Sequence, residues 1–334
     1  MSSSAIDSQE PSAQREQKRI KRDHANNPSA RDPAVHVAPA STPASTMTAA
    51  QQEISTHFSA FRDEIDEHND RRERLIKASR DVTSLSKKVI FLLHRFDIRD
   101  FGAENPSSKT TKLFQDAESK LDEIVAILRA TAMQEGLGPT ALDGDPRTAR
   151  HRSDRYERNI GGGLEEFIEA ISFYHYLRTR TLISQSQVQA RFRAQSKSES
   201  QFYSAEEAVP SDLGAVLLMV PTRRYLLGLS DLTGELMRFA TNAVGQGDTG
   251  RVVRQVLMLT RALRDSLDPF IPLVYDLKKK QIVTNQSLRK IEDILYALAV
   301  RSSEYGSDPE ALKEMVRRSL ASSSNDRQND DEDD

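Results

Sequence analysis

The sequence predicts an all-α protein, a bundle of about seven helices with disordered tails at both ends. Apolar residues recur at spacings of three and four over long stretches, which is typical of helices that bury one face. No series of alternating apolar and polar residues predicts a sheet. Both ends of the chain are polar and hold few large apolar side chains. We therefore assign the helical domain to residues 47–320.

The polar N-terminal segment, residues 1–46, is rich in Ser, Ala, Pro, Asn and Gln. It cannot bury enough apolar surface to offset its chain entropy, so we expect a disordered head. Its basic cluster KRIKR, Lys18–Arg22, is either a nuclear import signal or a solvated run of charge. Residues 321–334 are acidic and rich in Ser, and we expect a disordered tail there as well.

The first half of the domain contains three long segments with helical periodicity. The first begins near Thr46 and exceeds forty residues, and the second covers residues 112–134. A loop rich in Gly, Pro and Asp follows at 135–146. The third segment contains a run of arginines and then GLEEFIEAISFYHYL, residues 163–177. Three poor helix formers, Gly161 to Gly163, are expected to loosen or break the start of that helix.

The second half begins with a polar segment, residues 184–211, which is predicted to be loop-like. The stretch LGAVLLMVP is predicted to be a short extended or helical segment. Three further helices are expected, at residues 222–244, 249–267 and 280–304. Pro269 and Pro272 should interrupt the second of these, because proline lacks the N–H that a helix interior uses.

Composition excludes several classes of protein. The chain has no cysteine, which excludes disulfides, thiolate nucleophiles and Cys-containing zinc sites. Its seven histidines are scattered, and none forms the close pair of a zinc hydrolase. No apolar run approaches the roughly 20 residues of a membrane span, and no apolar signal core is present, so we expect an intracellular protein without a membrane partner. The net charge of −3 neither supports nor excludes a nucleic-acid partner.

Two acidic pairs lie on helices that also carry apolar stripes. Glu166 and Glu169 fall opposite the stripe of their helix, and Asp231 and Glu235 are one turn apart in DLTGEL. They could be exposed ion pairs on a solvated face. Alternatively, Phe173 on the acidic side of the first helix indicates that this side is covered too. Covered carboxylates need cations or protons, and two such pairs facing one another could hold Mg²⁺ or Mn²⁺.

Four stretches resemble the TRAX branch of the translin superfamily, and together they span most of residues 50–305. They are RRERLIKASRDVTSLSKKVIFLLHR at 71–95, GLEEFIEAISFYHYLRTRTLIS at 163–184, YLLGLSDLTGELMRFATNAVGQGD at 225–248 and LRKIEDILYALAVRSSE at 288–304. The signatures GLEEFIEA and DLTGELMR distinguish this branch from translin itself. The resemblance implies an all-α fold of about seven helices and a hetero-oligomeric shell, an octamer, built with translin.

The same resemblance implies an activity. Complexes of this family are Mg²⁺- or Mn²⁺-dependent endoribonucleases that act on single-stranded RNA, including small-RNA passenger strands and precursor-tRNA fragments. DNA binding, and residence in both nucleus and cytoplasm, are expected with it. By motif, the catalytic carboxylates are Glu166, Glu169 and Asp231, and Glu235 is a further metal ligand. Glu165 is placed outside the site, because relatives often have a neutral residue there.

A run of arginines precedes the acidic motif and could follow RNA phosphates. It comprises Arg147, Arg150, Arg152, Arg155 and Arg158. The run could instead be an ordinary solvated surface or a subunit contact. Two other functions also stay open for the chain. One is a helical adaptor for translin whose acids form salt bridges, and the other is a nucleic-acid-binding protein that does not cleave.

Overall fold

The computed structural model describes residues 48–138, 146–193 and 216–305. These ranges contain seven α-helices and no strand, and only an isolated bridge joins Arg193 to Val216. The helices are α1 Ala49–Leu93, α2 Ser108–Glu135, α3 Pro146–Thr179, α4 Gln185–Ala190, α5 Thr222–Gly245, α6 Arg251–Leu267 and α7 Leu277–Tyr305. The all-α prediction is confirmed. The predicted head, with Lys18–Arg22, and the acidic tail lie outside the described residues.

The start of α1, residues 48–56, belongs to a unit of its own and is exposed throughout. The hydrophobic core lies in the second unit, which begins at His57. Within the second unit, α5 packs against α3, α6 and α7. Its apolar face, which includes Leu229, Leu232 and Leu236, is buried. None of the described helices is long and apolar enough to cross a membrane.

Helix α3 runs without a break through Gly161, Gly162 and Gly163, so the predicted break is wrong. The physical reason is close packing against α1. A Cβ on Gly163 would lie 2.7 Å from the backbone oxygen of Ser79, and the Gly163 N–H donates a 2.9 Å hydrogen bond to Ser79 Oγ. The glycine lowers helix propensity but lets the two helices approach. Tertiary contact therefore overrides the local preference.

Substituting alanine for Gly163 is expected to destabilise the protein by about 1–3 kcal/mol, because the new methyl group meets backbone that cannot turn away. Gly162→Ala is the matched control, since a Cβ there meets nothing within 4 Å. That variant should be neutral or more stable by up to about 1 kcal/mol, because alanine is the better helix former. Urea unfolding followed by circular dichroism measures both. Equal effects of the two substitutions would contradict the close α1–α3 contact.

Residues 185–190 form α4, so the predicted loop is wrong in this part. A capping box starts the helix: the Ser184 hydroxyl accepts the N–H of Gln187, and the Gln187 side chain accepts the N–H of Ser184. Helix α6 ends at Leu267, where the prolines were expected to interrupt it, and a 3₁₀ turn follows. Helix α7 begins three residues earlier than expected, so Lys280 lies inside its first turn and is not its first residue.

Candidate functional site

The four predicted acids come together where α3 packs against α5. Burial raises the pKa of Glu169 well above its ordinary value, and the charges of Asp231, Glu235 and Glu166 raise it further. Only 9% of Glu169 is exposed. Among the described residues, its carboxylate takes part in no hydrogen bond or ion pair. The site therefore surrounds one buried acid that has no direct counter-ion.

Lysine 280 of α7 reaches into this group of acids. Its Nζ donates a short hydrogen bond to Asp231 and lies 3.5 Å from an oxygen of Glu165. Burial raises the pKa of Asp231, and the Lys280 charge partly offsets that increase. Burial would lower the pKa of Lys280, but Asp231 and Glu165 raise it overall. The ammonium and its two carboxylates form one ionic group.

The remaining acids also have cationic neighbours. Glu235 is buried, and its two oxygens contact His94 Nε2 and Arg238 Nη1, each at 2.6 Å. Glu166 lies 3.7 Å from Lys87 Nζ, a distance at which the pair is weak. Burial raises the pKa of Glu166, with a further contribution from Asp231, while Lys87 lowers it. Repulsion among the acids is thus only partly compensated.

A buried arginine anchors the edge of the site. Arg224 is 8% exposed and forms ion pairs with Glu157 and Glu165, both on α3. Burial would lower the pKa of Arg224, but the two carboxylates raise it overall. The sequence places Glu165 outside the site, whereas the structure joins it to Asp231 through Lys280. Arg224 therefore holds Glu165, which also belongs to the ionic group of Lys280 and Asp231.

The chemistry of these side chains suits Mg²⁺ or Mn²⁺, which prefer oxygen ligands. Glu169 supplies a buried carboxylate without a direct partner, and Glu166 has only a distant one. Within the described parts of the chain, however, no three His, Asp or Glu side chains are placed to hold one metal ion. Asp231 and Glu235 are instead bonded to cationic side chains. A metal ion would have to displace some of these contacts.

The arginine run lies at the start of α3, beside a cavity of about 400 Å³. Three of the five predicted arginines, Arg147, Arg152 and Arg155, line it, whereas Arg150 and Arg158 do not. The rest of the lining is His68, Arg71, Thr148, His151 and Tyr156. The ring of Tyr156 is only 5% exposed, and its hydroxyl is hydrogen bonded to His68. Tyr156 is therefore a packed wall of the cavity.

Residues 70–302 match the model of the translin family. The chain belongs to this family. Translin-associated protein X of Mus musculus is 34% identical over 253 residues, which cover 74% of this chain and 79% of that protein. The Translin-associated protein X homolog of Schizosaccharomyces pombe is 26% identical over 255 residues, 75% of this chain and 90% of that protein. The solved AfC3PO–duplex RNA complex is 18% identical, with a TM-score of 0.49 over 74% of this chain and 99% of its own.

In this translin-family chain, several residues that contact the acids of the site could not be identified from the sequence. Lys280 is one of three consecutive lysines, and nothing in the run marks it out. Arg224 falls on the polar side of α5, where a solvated arginine is the ordinary expectation. His94 lies at the end of the first predicted helix, and nothing at that position predicts its contact with Glu235. Each contact depends on which helices meet, and periodicity within one helix does not contain that information.

The buried Glu169 predicts a decrease in stability as pH rises. Since folding raises its pKa, the folded protein still holds a proton that the unfolded chain has released above pH 4.5, the ordinary value. The free energy of unfolding therefore decreases between pH 4.5 and the raised pKa. In EDTA, Glu169→Gln should remove that decrease, so its stability relative to the unmodified chain should rise as the pH increases above 4.5.

Urea unfolding at several pH values measures this difference. Glu123→Gln is the control, because it makes the same change on the exposed side of α2. Its stability is measured relative to the unmodified chain at the same pH values. If the free energies of unfolding of Glu169→Gln and of the unmodified chain changed in parallel with pH, folding would not raise the pKa of Glu169.

Proposed function

We propose that this chain is the RNA-cleaving subunit of a metal-dependent endoribonuclease assembled with translin. One observation carries the proposal: the two acidic motifs meet across α3 and α5, around a buried Glu169 that has no direct counter-ion. Placing four carboxylates this close is costly unless a cation or protons compensate them. Such an arrangement is typical of functional sites, where perturbed acids cluster.

Glu166, Glu169, Asp231 and Glu235 would hold the Mg²⁺ or Mn²⁺ ion. The bound metal would activate water and stabilise the charge that develops on the RNA phosphodiester. The chain's own residues position the ligands. His94 fixes one oxygen of Glu235 at 2.6 Å, and the packing of α3 on α5 sets the separation of the two acidic pairs.

The proposed partners are translin, in a hetero-octamer, and single-stranded RNA, with DNA as a further ligand. The relatives' own name, Translin-associated protein X, supports association with translin. The cavity at the start of α3 supports nucleic-acid binding, since three residues of its lining, Arg147, Arg152 and Arg155, carry positive charge. Passenger strands of small RNA duplexes and precursor-tRNA fragments are the proposed substrates, in both nucleus and cytoplasm.

A second candidate function is a helical adaptor that binds translin without cleaving RNA. It is favoured by the cationic partners that Asp231 and Glu235 already have, in Lys280 and Arg238. In an adaptor these contacts would be permanent salt bridges. The two candidates differ in one property, because only the nuclease requires the acids to release those partners to a metal ion.

Co-purification with translin followed by a cleavage assay separates the candidates. The complex is incubated with single-stranded RNA in Mg²⁺ or Mn²⁺ and in EDTA, and translin alone is the control. The nuclease predicts RNA products that EDTA abolishes and that translin alone does not give. Intact RNA in Mn²⁺, together with a gel shift that shows binding, would contradict cleavage and favour the adaptor or a binding protein.

A further inference from the structure

Lys280 occupies the position that a small cation would take between two acids of the site. Its ammonium is bonded to Asp231 and lies 3.5 Å from Glu165. Its charge also offsets part of the rise in the pKa of Glu166 and Glu169, so it acts on further acids of α3. Lys280 thus supplies the positive charge that compensates Asp231 and Glu165.

The Lys280–Asp231 ion pair is partly exposed to solvent. The side chain of Lys280 is 24% exposed, and that of Asp231 is 32% exposed, so solvent reaches both. Arg224 differs, because it is 10% exposed at the side chain and binds two acids of α3. When Lys280 leaves, Glu165 keeps its contact with Arg224, whereas Asp231 loses its partner. Asp231 would then have free oxygens for another cation.

We propose that Lys280 is a displaceable counter-ion, a positioning residue that holds Asp231 until a divalent metal ion takes its place. This inference rests on the proposed function, because it assumes that the acids bind a metal. Binding breaks the Lys280–Asp231 contact and forms a bond from a carboxylate oxygen of Asp231 to the metal, and the ammonium turns to solvent with its proton. The metal affinity of the site is therefore lowered by competition from the lysine.

The main test compares the binding of Mn²⁺ to the full chain in its translin complex, by calorimetry, for Lys280→Met and the unmodified chain. Removing the competitor should tighten Mn²⁺ binding about three- to fivefold, as expected for loss of a partly exposed ion pair that opposes binding. Lys279→Met is the matched control, because it removes the same charge from an exposed neighbour on α7. It should change the affinity much less. Unchanged or weaker Mn²⁺ binding by Lys280→Met would overturn the inference.

A second measurement needs no variant and therefore does not depend on folding of the methionine protein. Reductive methylation of the unmodified complex, read by peptide mass spectrometry, reports how accessible each lysine is. Mn²⁺ should increase the labelling of Lys280 several-fold and leave that of Lys279 unchanged. Equal or reduced labelling of Lys280 in Mn²⁺ would show that the metal does not displace it.

RNA cleavage measured on the same samples distinguishes this inference from the proposed function. Tighter Mn²⁺ binding by Lys280→Met without cleavage by any sample would support the counter-ion and reject the nuclease. Cleavage with equal Mn²⁺ affinities would support the nuclease and reject the counter-ion. Absence of Mn²⁺ binding in every sample would reject both.

Discussion

Replacing Glu169 with glutamine is expected to slow RNA cleavage by the translin complex at least about 100-fold, because a metal site that loses a central anionic ligand loses several kcal/mol of transition-state stabilisation. Glutamine keeps the shape of the side chain and suits its buried position, so α3 should still pack against α5. Single-turnover rates at saturating Mn²⁺ measure the effect. Size-exclusion chromatography establishes that the complex still forms.

The control for this variant is Glu123→Gln, which changes an exposed acid of α2 and should cleave at the unmodified rate. Loss of cleavage with an intact assembly would assign Glu169 to the site. A Glu169→Gln complex that cleaves within a fewfold of the unmodified rate would remove this residue from the mechanism. The outcome tests the buried acid of the four that has no direct counter-ion.

Replacing Arg224 with methionine is expected to lower the free energy of unfolding by about 3 kcal/mol or more, because it leaves Glu157 and Glu165 without their buried cation. Methionine preserves much of the volume, so the loss should come mainly from the unpaired charges. Adding Glu157→Gln and Glu165→Gln to this variant should restore part of the stability, since no uncompensated carboxylate then remains at this position.

Denaturant unfolding of these variants is compared with that of Arg261→Met. Arg261 pairs with Glu292 on the surface, with side chains 54% and 38% exposed, so its loss should cost at most about 1 kcal/mol. Similar losses for Arg224→Met and Arg261→Met would contradict the buried role of Arg224. Failure of the two glutamines to restore stability would attribute the loss to packing.

The six longer helices among the described residues follow from the sequence because each buries an apolar stripe, and a stripe has a period that can be counted. The resemblance to the family implies that the four acids lie close together. It does not identify the cationic side chains that contact them. Helix α5 is buried on more than one side, so Arg224 and Glu235 lie inside although they belong to its polar face. Periodicity separates apolar from polar residues, and it does not report which polar residues a second helix covers.

Contact between helices also explains why the predicted break at the three glycines of α3 is wrong. Propensity measures the cost of glycine in an isolated helix, whereas Gly163 is set by its contact with Ser79 on α1. Lys280 likewise acquires its role from the register between α7 and α5, which pairs it with Asp231. Interhelical register of this kind is not contained in the period of any one helix.

The convergence of four acids on one metal ion is tested most directly by anomalous diffraction from crystals of the translin complex grown with Mn²⁺. We predict an anomalous peak between α3 and α5, with carboxylate oxygens of Glu166, Glu169, Asp231 and Glu235 at roughly 2.1 Å or joined to the ion through water. Lys280 should be turned away from Asp231 in that crystal. A Mn²⁺ peak elsewhere in a complex that cleaves RNA, with Lys280 still bonded to Asp231, would contradict the metal site.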